Sequence, residues 1–90
     1  MAMDWQTSND FDKIMRDGDW HVDKAKGWAS AEYYSDAKSH YFEAMNCYKE
    51  AERLATRFDD YKRYDAIRKY DECKRSVHEL AYKSYESQGR

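Results

Sequence analysis

The sequence predicts an all-α protein: one domain of three antiparallel helices in up-down-up order. Two observations carry this prediction. Proline is absent and glycine is confined to Gly18, Gly27 and Gly89, so the chain lacks nearly every breaker that a sheet or a loop-rich fold uses. Apolar residues recur in three stripes spaced alternately by three and four, the pattern of amphipathic helices, and the gaps between stripes are short enough to make consecutive helices antiparallel.

The first stripe is Phe11, Met15, Gly18, Val22, Ala25 and Ala29, flanked by Ile14 and Trp28. Ser8 is placed to cap it, since its hydroxyl accepts a free first-turn amide, and Asp10 and Asp12 complement the positive end of the helix dipole. The expected helix starts near Ser8. Gly18 and Gly27 each cost about 1 kcal/mol relative to alanine in a helix interior, so helix 1 either runs through Asp17-Gly18-Asp19 or kinks or breaks there. The second stripe is Tyr34, Ala37, Tyr41, Ala44, Tyr48, Ala51, Ala55 and Phe58, widened by Phe42, Met45 and Leu54. Its alternation of alanine and tyrosine lets a neighbouring helix approach at alanine and pack on the flanking rings. Ser35 is the expected cap, with the first turn inside residues 32–36. The phase changes again at Asp59-Asp60, where Asp60 is placed to cap a third stripe of Ala66, Tyr70, Cys73, Val77 and Leu80, joined by Ile67 and Ala81. The domain organisation that follows is a disordered or loosely packed N-terminus over 1–7, one helical domain over 8–86 and a frayed end over 87–90.

Length and composition narrow the function. A chain of 90 residues is one domain at most and buries only about 60 to 65% of the surface its unfolded form exposes, leaving little room for a deep pocket. Cys47 and Cys73 lie far apart without a CxxC partner, which reads as reduced thiols in a cytoplasmic protein. No basic region followed by an apolar run opens the chain, and nothing approaches a membrane span, so no membrane partner is expected. Net charge is only −2, but residues 1–50 carry six Lys/Arg against ten Asp/Glu while residues 51–90 carry ten against eight. Such polarity suits antiparallel helices that neutralise each other.

No constellation reads as catalytic. His40 and Glu43 form H-x-x-E with Asp36 one turn earlier, and His78-Glu79 lies on helix 3. Di-metal bundles use E-x-x-H with further carboxylates aimed into a core, whereas these residues fall beside the stripes. They are expected to face solvent, and His21 carries no distinguishing pattern, so no metal site and no cofactor is expected. Cys73 falls on the core stripe, Cys47 has no adjacent histidine, and phosphate loops and dinucleotide fingerprints are absent. The basic residues Arg53, Arg57, Lys62, Arg63, Arg68, Lys69, Lys74 and Arg75, interleaved with Tyr61, Tyr64 and Tyr70, have the composition of a nucleic-acid grip. Acidic neighbours interrupt them, and i to i+4 pairs such as Asp65 with Lys69 and Asp71 with Arg75 read as a solvated face.

The aromatic content points elsewhere. Nine tyrosines and three tryptophans exceed what a three-helix core hides, and exposed Tyr and Trp suit protein interfaces because they bury area at low entropy cost. The residues expected to meet a partner are Trp20, Trp28, Tyr33, Tyr61, Tyr64, Ile67, Tyr70, Val77 and Tyr82. Asp10, Asp12, Asp17, Asp19 and Asp23 form an acidic first helix expected to face a basic site. The resulting reading is a non-enzymatic interaction module, an adaptor or a small inhibitory protein of the bacterial or phage kind, that docks an aromatic-rich face onto another protein or onto a second copy of itself. The alternative is a nucleic-acid-associated protein using the basic stretch of helices 2 and 3.

Ala25-x-x-Trp28, Tyr34-Ser35-Asp36-Ala37 and Tyr41-x-x-Ala44 together resemble the helical hairpin of a tetratricopeptide repeat. One copy is present, and an array needs about three repeats of about 34 residues. A single hairpin followed by one long helix is similar to the microtubule interacting and trafficking domain, whose basic-aromatic third helix resembles Arg68-Lys69-Tyr70 to Val77 here. That resemblance spans about residues 20–82. It implies a groove between helices 1 and 3 that takes an amphipathic partner helix, with Val22, Trp28, Ile67, Tyr70 and Val77 contributing. His21 and Lys24 depart from it, standing where small or apolar residues are expected.

Overall fold

The first helix begins one turn earlier than the Ser8 cap implies, because Asp4 supplies the capping carboxylate. Its Oδ1 accepts the Thr7 amide at 2.7 Å and its carbonyl accepts the Ser8 amide at 2.9 Å, so the backbone is already helical at Trp5. The computed structural model describes residues 3–88, with side chains to Tyr85, and contains α1 (Trp5–Ser30), α2 (Tyr34–Arg57) and α3 (Arg63–Gln88). Part of the expected loose N-terminus is therefore helix, and Met3 packs against the core. Residues 1, 2, 89 and 90 lie outside the described residues, and α3 continues to Gln88.

Both helix connections close in the same way. After α1 the Glu32 amide donates to the Ala29 carbonyl at 3.0 Å and the Tyr33 amide reaches back to the Trp28 carbonyl at 2.9 Å. After α2, Asp59 donates to Thr56 at 3.0 Å and Asp60 to Ala55 at 2.9 Å. This is the double bond pattern of a Schellman turn, which needs one left-handed residue. Here that residue is Glu32 (φ 66°) and Asp59 (φ 50°) rather than glycine. At the first turn the Trp28 and Tyr33 rings meet edge-on, centroids 5.5 Å apart, supplying the apolar contact of the motif. Ser35 lies inside α2, and the residue before the helix, Tyr33, makes no side-chain cap bond. Because a left-handed non-glycine residue costs about 1 to 2 kcal/mol, offset in part by the chain entropy glycine loses, Glu32→Gly is expected to stabilise the protein by about 0.5 to 1 kcal/mol, readable as a raised urea midpoint with unchanged slope.

Asp60 closes the far end. It is 6% exposed, accepts the Lys62 amide on Oδ1 at 2.9 Å and the Met3 amide on Oδ2 at 3.3 Å, and so ties the start of α1 to the turn that opens α3. The Lys62 amide, with the Met3 amide behind it, holds the Asp60 carboxyl below its ordinary value, and the Thr7 amide does the same for Asp4. A carboxylate whose folded pKa is depressed adds stability that is complete above the unfolded value, 3.8 here, and that drains as pH falls through the folded value. Thermal midpoints followed downward from pH 5 are expected to fall, and Asp60→Asn is expected to flatten that acid limb.

α1 and α3 both pack along α2 and scarcely meet each other. The core between them is Phe11, Met15 and Ala25 of α1, the Tyr41, Ala44, Tyr48, Ala51 and Ala55 ladder of α2, and Ala66, Cys73 and Leu80 of α3. α1 runs unbroken through Gly18. The glycine serves close approach, not a kink: a methyl group at this position would stand 2.5 Å from Cε1 and 2.8 Å from Cζ of Tyr48. Among the described residues no helix is long and apolar enough to cross a membrane.

Candidate functional site

The side chain that fills the space at Gly18 also builds a polar node across all three helices. Tyr48 is 1% exposed, and its hydroxyl donates to Asp19 Oδ1 at 2.6 Å. Lys69 Nζ of α3 donates to both oxygens of the same carboxylate, at 2.8 and 3.1 Å. Burial, then the Asp19 carboxylate, raises the Tyr48 pKa, so the phenol stays protonated as a donor. Asp19 thus reads as a structural acceptor, and Lys69 turns to it rather than to Asp65, which pairs with Arg68 at 3.6 Å.

Around the node a groove of about 530 Å³ opens between α1 and α3. Tyr41 and Tyr48 of α2 line it, with Val22 and Asp23 on one wall and Glu72 and Cys73 on the other. The volume lies in the range of small-molecule or side-chain sites, but the groove is open along its length. Of the five residues the family resemblance assigns to such a groove, Val22 lines it. Tyr70 and Val77 pack against the core, Tyr70 on its α2 side with the Lys49 ammonium 5.7 Å from its ring. Ile67 is half-buried and Trp28 belongs to the α1–α2 turn.

The other aromatic candidates do not share one face. Trp5, Tyr61 and Tyr64 stand exposed at the end of the bundle that holds the α2–α3 turn. The Arg63 guanidinium lies 4.7 Å from the Tyr64 ring. Trp28 and Tyr33 occupy the opposite end, toward which the last turns of α3 carry Tyr82 and Tyr85. Trp20 and Phe42 are exposed along α1 and α2. The acidic helix divides as well. At about 100° per residue, Asp12, Asp19 and Asp23 fall on one edge of α1, toward α3, and Asp10 and Asp17 on the other.

Two histidines that no sequence pattern pairs meet at one seam. His21 and His40 are half-buried at the α1–α2 seam, their Nδ1 atoms 3.2 Å apart. The Trp20 ring stands edge-on to both, with centroids at 5.0 and 6.1 Å. His40 therefore faces α1, not solvent. Neither thiol is poised for chemistry: burial pushes Cys73 up to about 11, with Glu72 and Asp19 adding to it, and burial followed by Asp17 raises Cys47. At pH 7 a maleimide is expected to label both slowly and Cys47 first, since Cys73 is also shielded in the core.

On α2, Lys49, Arg53 and Arg57 recur at every fourth residue and line a shallow open depression together with Glu52. Lys49 pairs with Glu52 at 3.4 Å. No protein-family model matches the chain, and comparison with curated proteins and with solved structures finds no similar chain.

Proposed function

We propose that this protein is a non-enzymatic interaction module that works by docking exposed aromatic rings, and the α1–α3 groove between them, onto another protein or onto a second copy of itself. The observation that carries this reading is exposure: Trp5, Trp20, Trp28, Tyr33, Phe42, Tyr61, Tyr64, Tyr82 and Tyr85 all keep large parts of their surface in water, from 40% at Trp28 to 77% at Trp5. The core is filled mainly by alanine, tyrosine and single large apolar residues, and of these rings only Trp28 and Tyr33, which meet at the α1–α2 turn, close a structural motif. Buried aromatic anchors are what give protein interfaces most of their energy. The groove is the surface that the resemblance to microtubule interacting and trafficking domains points to, and its mixed rim suits an amphipathic segment. A cytoplasmic setting fits the two raised, unpaired thiols.

The nucleic-acid reading is favoured by one feature, the Lys49, Arg53, Arg57 stripe. Light scattering after size-exclusion chromatography, at two concentrations and two salt levels, separates the readings. Self-docking predicts a dimer that Tyr61→Ala/Tyr64→Ala weakens. A monomer leaves the rings to a foreign protein. Protein that elutes with nucleic acid at low salt and sheds it steeply as salt rises contradicts the proposal.

A further inference from the structure

The geometry points to a transition-metal site at the α1–α2 seam, in which His21 and His40 hold one divalent ion of the nitrogen-preferring class (Zn²⁺, Ni²⁺ or Cu²⁺) and water completes the coordination. Two imidazole nitrogens bound to one tetrahedral ion at about 2.0 to 2.1 Å are held about 3.3 Å apart. The Nδ1 atoms of His21 and His40 stand 3.2 Å apart, with ring centroids at 5.4 Å and planes tilted by 33°. Without metal this is a hydrogen bond, one imidazole N–H donating to the other ring nitrogen; release of that proton leaves two nitrogens already at ligand spacing.

The sequence around each ring repeats. Asp17 precedes His21 by four residues and Asp36 precedes His40 by four, so each helix carries D-x-x-x-H with the carboxylate on the same face one turn away. Because α1 and α2 are antiparallel, the two carboxylates flank the histidines from opposite ends. Both carboxylates are exposed, so they stand beside the pair without entering its coordination. Among the described residues no three His, Cys, Asp or Glu side chains converge, so the chain supplies two direct ligands and the site is one of modest affinity. The opposing charge is Lys24, whose ammonium lies 5.3 Å from the Trp20 ring. Copper is the tightest binder expected from the divalent series.

Trp20 makes the site readable. Its ring is within about 6 Å of both imidazoles, so paramagnetic Cu²⁺ held there quenches its fluorescence. The test is titration of the full chain, carrying Cys47→Ser to remove the half-buried thiol, with Cu²⁺ and with Ni²⁺, followed by quenching and by equilibrium dialysis. One ion per chain is expected, with affinity lowered at least tenfold by His21→Gln or His40→Gln and unchanged by His78→Gln. Trp20→Phe is expected to keep the stoichiometry while losing most of the quenching. Circular dichroism of the glutamine variants establishes that they fold, and the parent's thermal midpoint is expected to rise with added metal where theirs do not. Binding that survives in both glutamine variants, or that disappears with His78→Gln, overturns the assignment, as does the absence of any stoichiometric binding by the parent.

Discussion

Gly18→Ala is expected to destabilise the protein by about 2 to 3 kcal/mol, even though alanine is the better helix former by about 1 kcal/mol. The added methyl meets Tyr48 Cε1 at 2.5 Å, Cζ at 2.8 Å and Cδ1 at 3.0 Å. The ring cannot give way cheaply, because it is fully buried and its hydroxyl is held by Asp19. The expected result is a thermal midpoint lower by about 4 to 8 °C for each kcal/mol lost. Gly27→Ala is the control: nothing lies within 4 Å of a methyl group there, so it is expected to be neutral or to stabilise by a few tenths of a kcal/mol up to about 1 kcal/mol. If both glycines behaved alike, the close approach of α1 and α2 at Gly18 would be wrong.

Tyr48→Ala carries the largest expected loss, about 3 to 5 kcal/mol, because it opens a cavity at the meeting point of the helices and leaves α1 with no surface to pack on at Gly18. Against the 5 to 15 kcal/mol that holds a typical domain, this brings the chain close to unfolding at 37 °C. Tyr48→Phe separates the ring from its hydroxyl. It keeps the packing, leaves Asp19 paired with Lys69, and is expected to cost about 1 to 2 kcal/mol, the worth of one hydrogen bond to a charged acceptor. Urea melts of the two variants measure the difference, and a Phe variant as unstable as the Ala variant would place the node's energy in the hydroxyl instead.

The helices were legible because their cores repeat. Phe11, Met15, Ala25, Ala37, Tyr41, Ala44, Tyr48, Ala51, Ala55, Ala66, Cys73 and Leu80 all sit on the three stripes and all are buried. The ends were less legible, since Asp4 and Ser8 both carry capping side chains and only the backbone decides between them. The α1–α2 turn was harder still, because Glu32 adopts a left-handed conformation that glycine or asparagine would have announced. Gly18 could be read as a break or as a contact, and only the ring of Tyr48 opposite it decides. The polar groupings depend on register between helices. Asp19 and Lys69 are fifty residues apart, and His21 and His40 are nineteen apart. No periodicity within one helix brings either pair together, so the pattern alone puts Asp19 on an acidic face, pairs Lys69 with Asp65 and turns His40 to solvent. The exposed aromatics were countable from composition, but their division between the two ends of the bundle follows from which turns they flank.

The reading as an interaction module is tested most directly by tagged capture from the cells that make the protein, with wild type compared against Tyr61→Ala/Tyr64→Ala and against Lys49→Glu/Arg53→Glu, each first shown to fold. The expected result is a protein recovered in near-stoichiometric amount with wild type, lost when the tyrosines are removed and retained, under nuclease treatment, when the basic stripe is reversed. Recovery that depends on the basic stripe, and that nuclease abolishes while the tyrosine variant retains it, would mean that the protein docks nucleic acid and not protein.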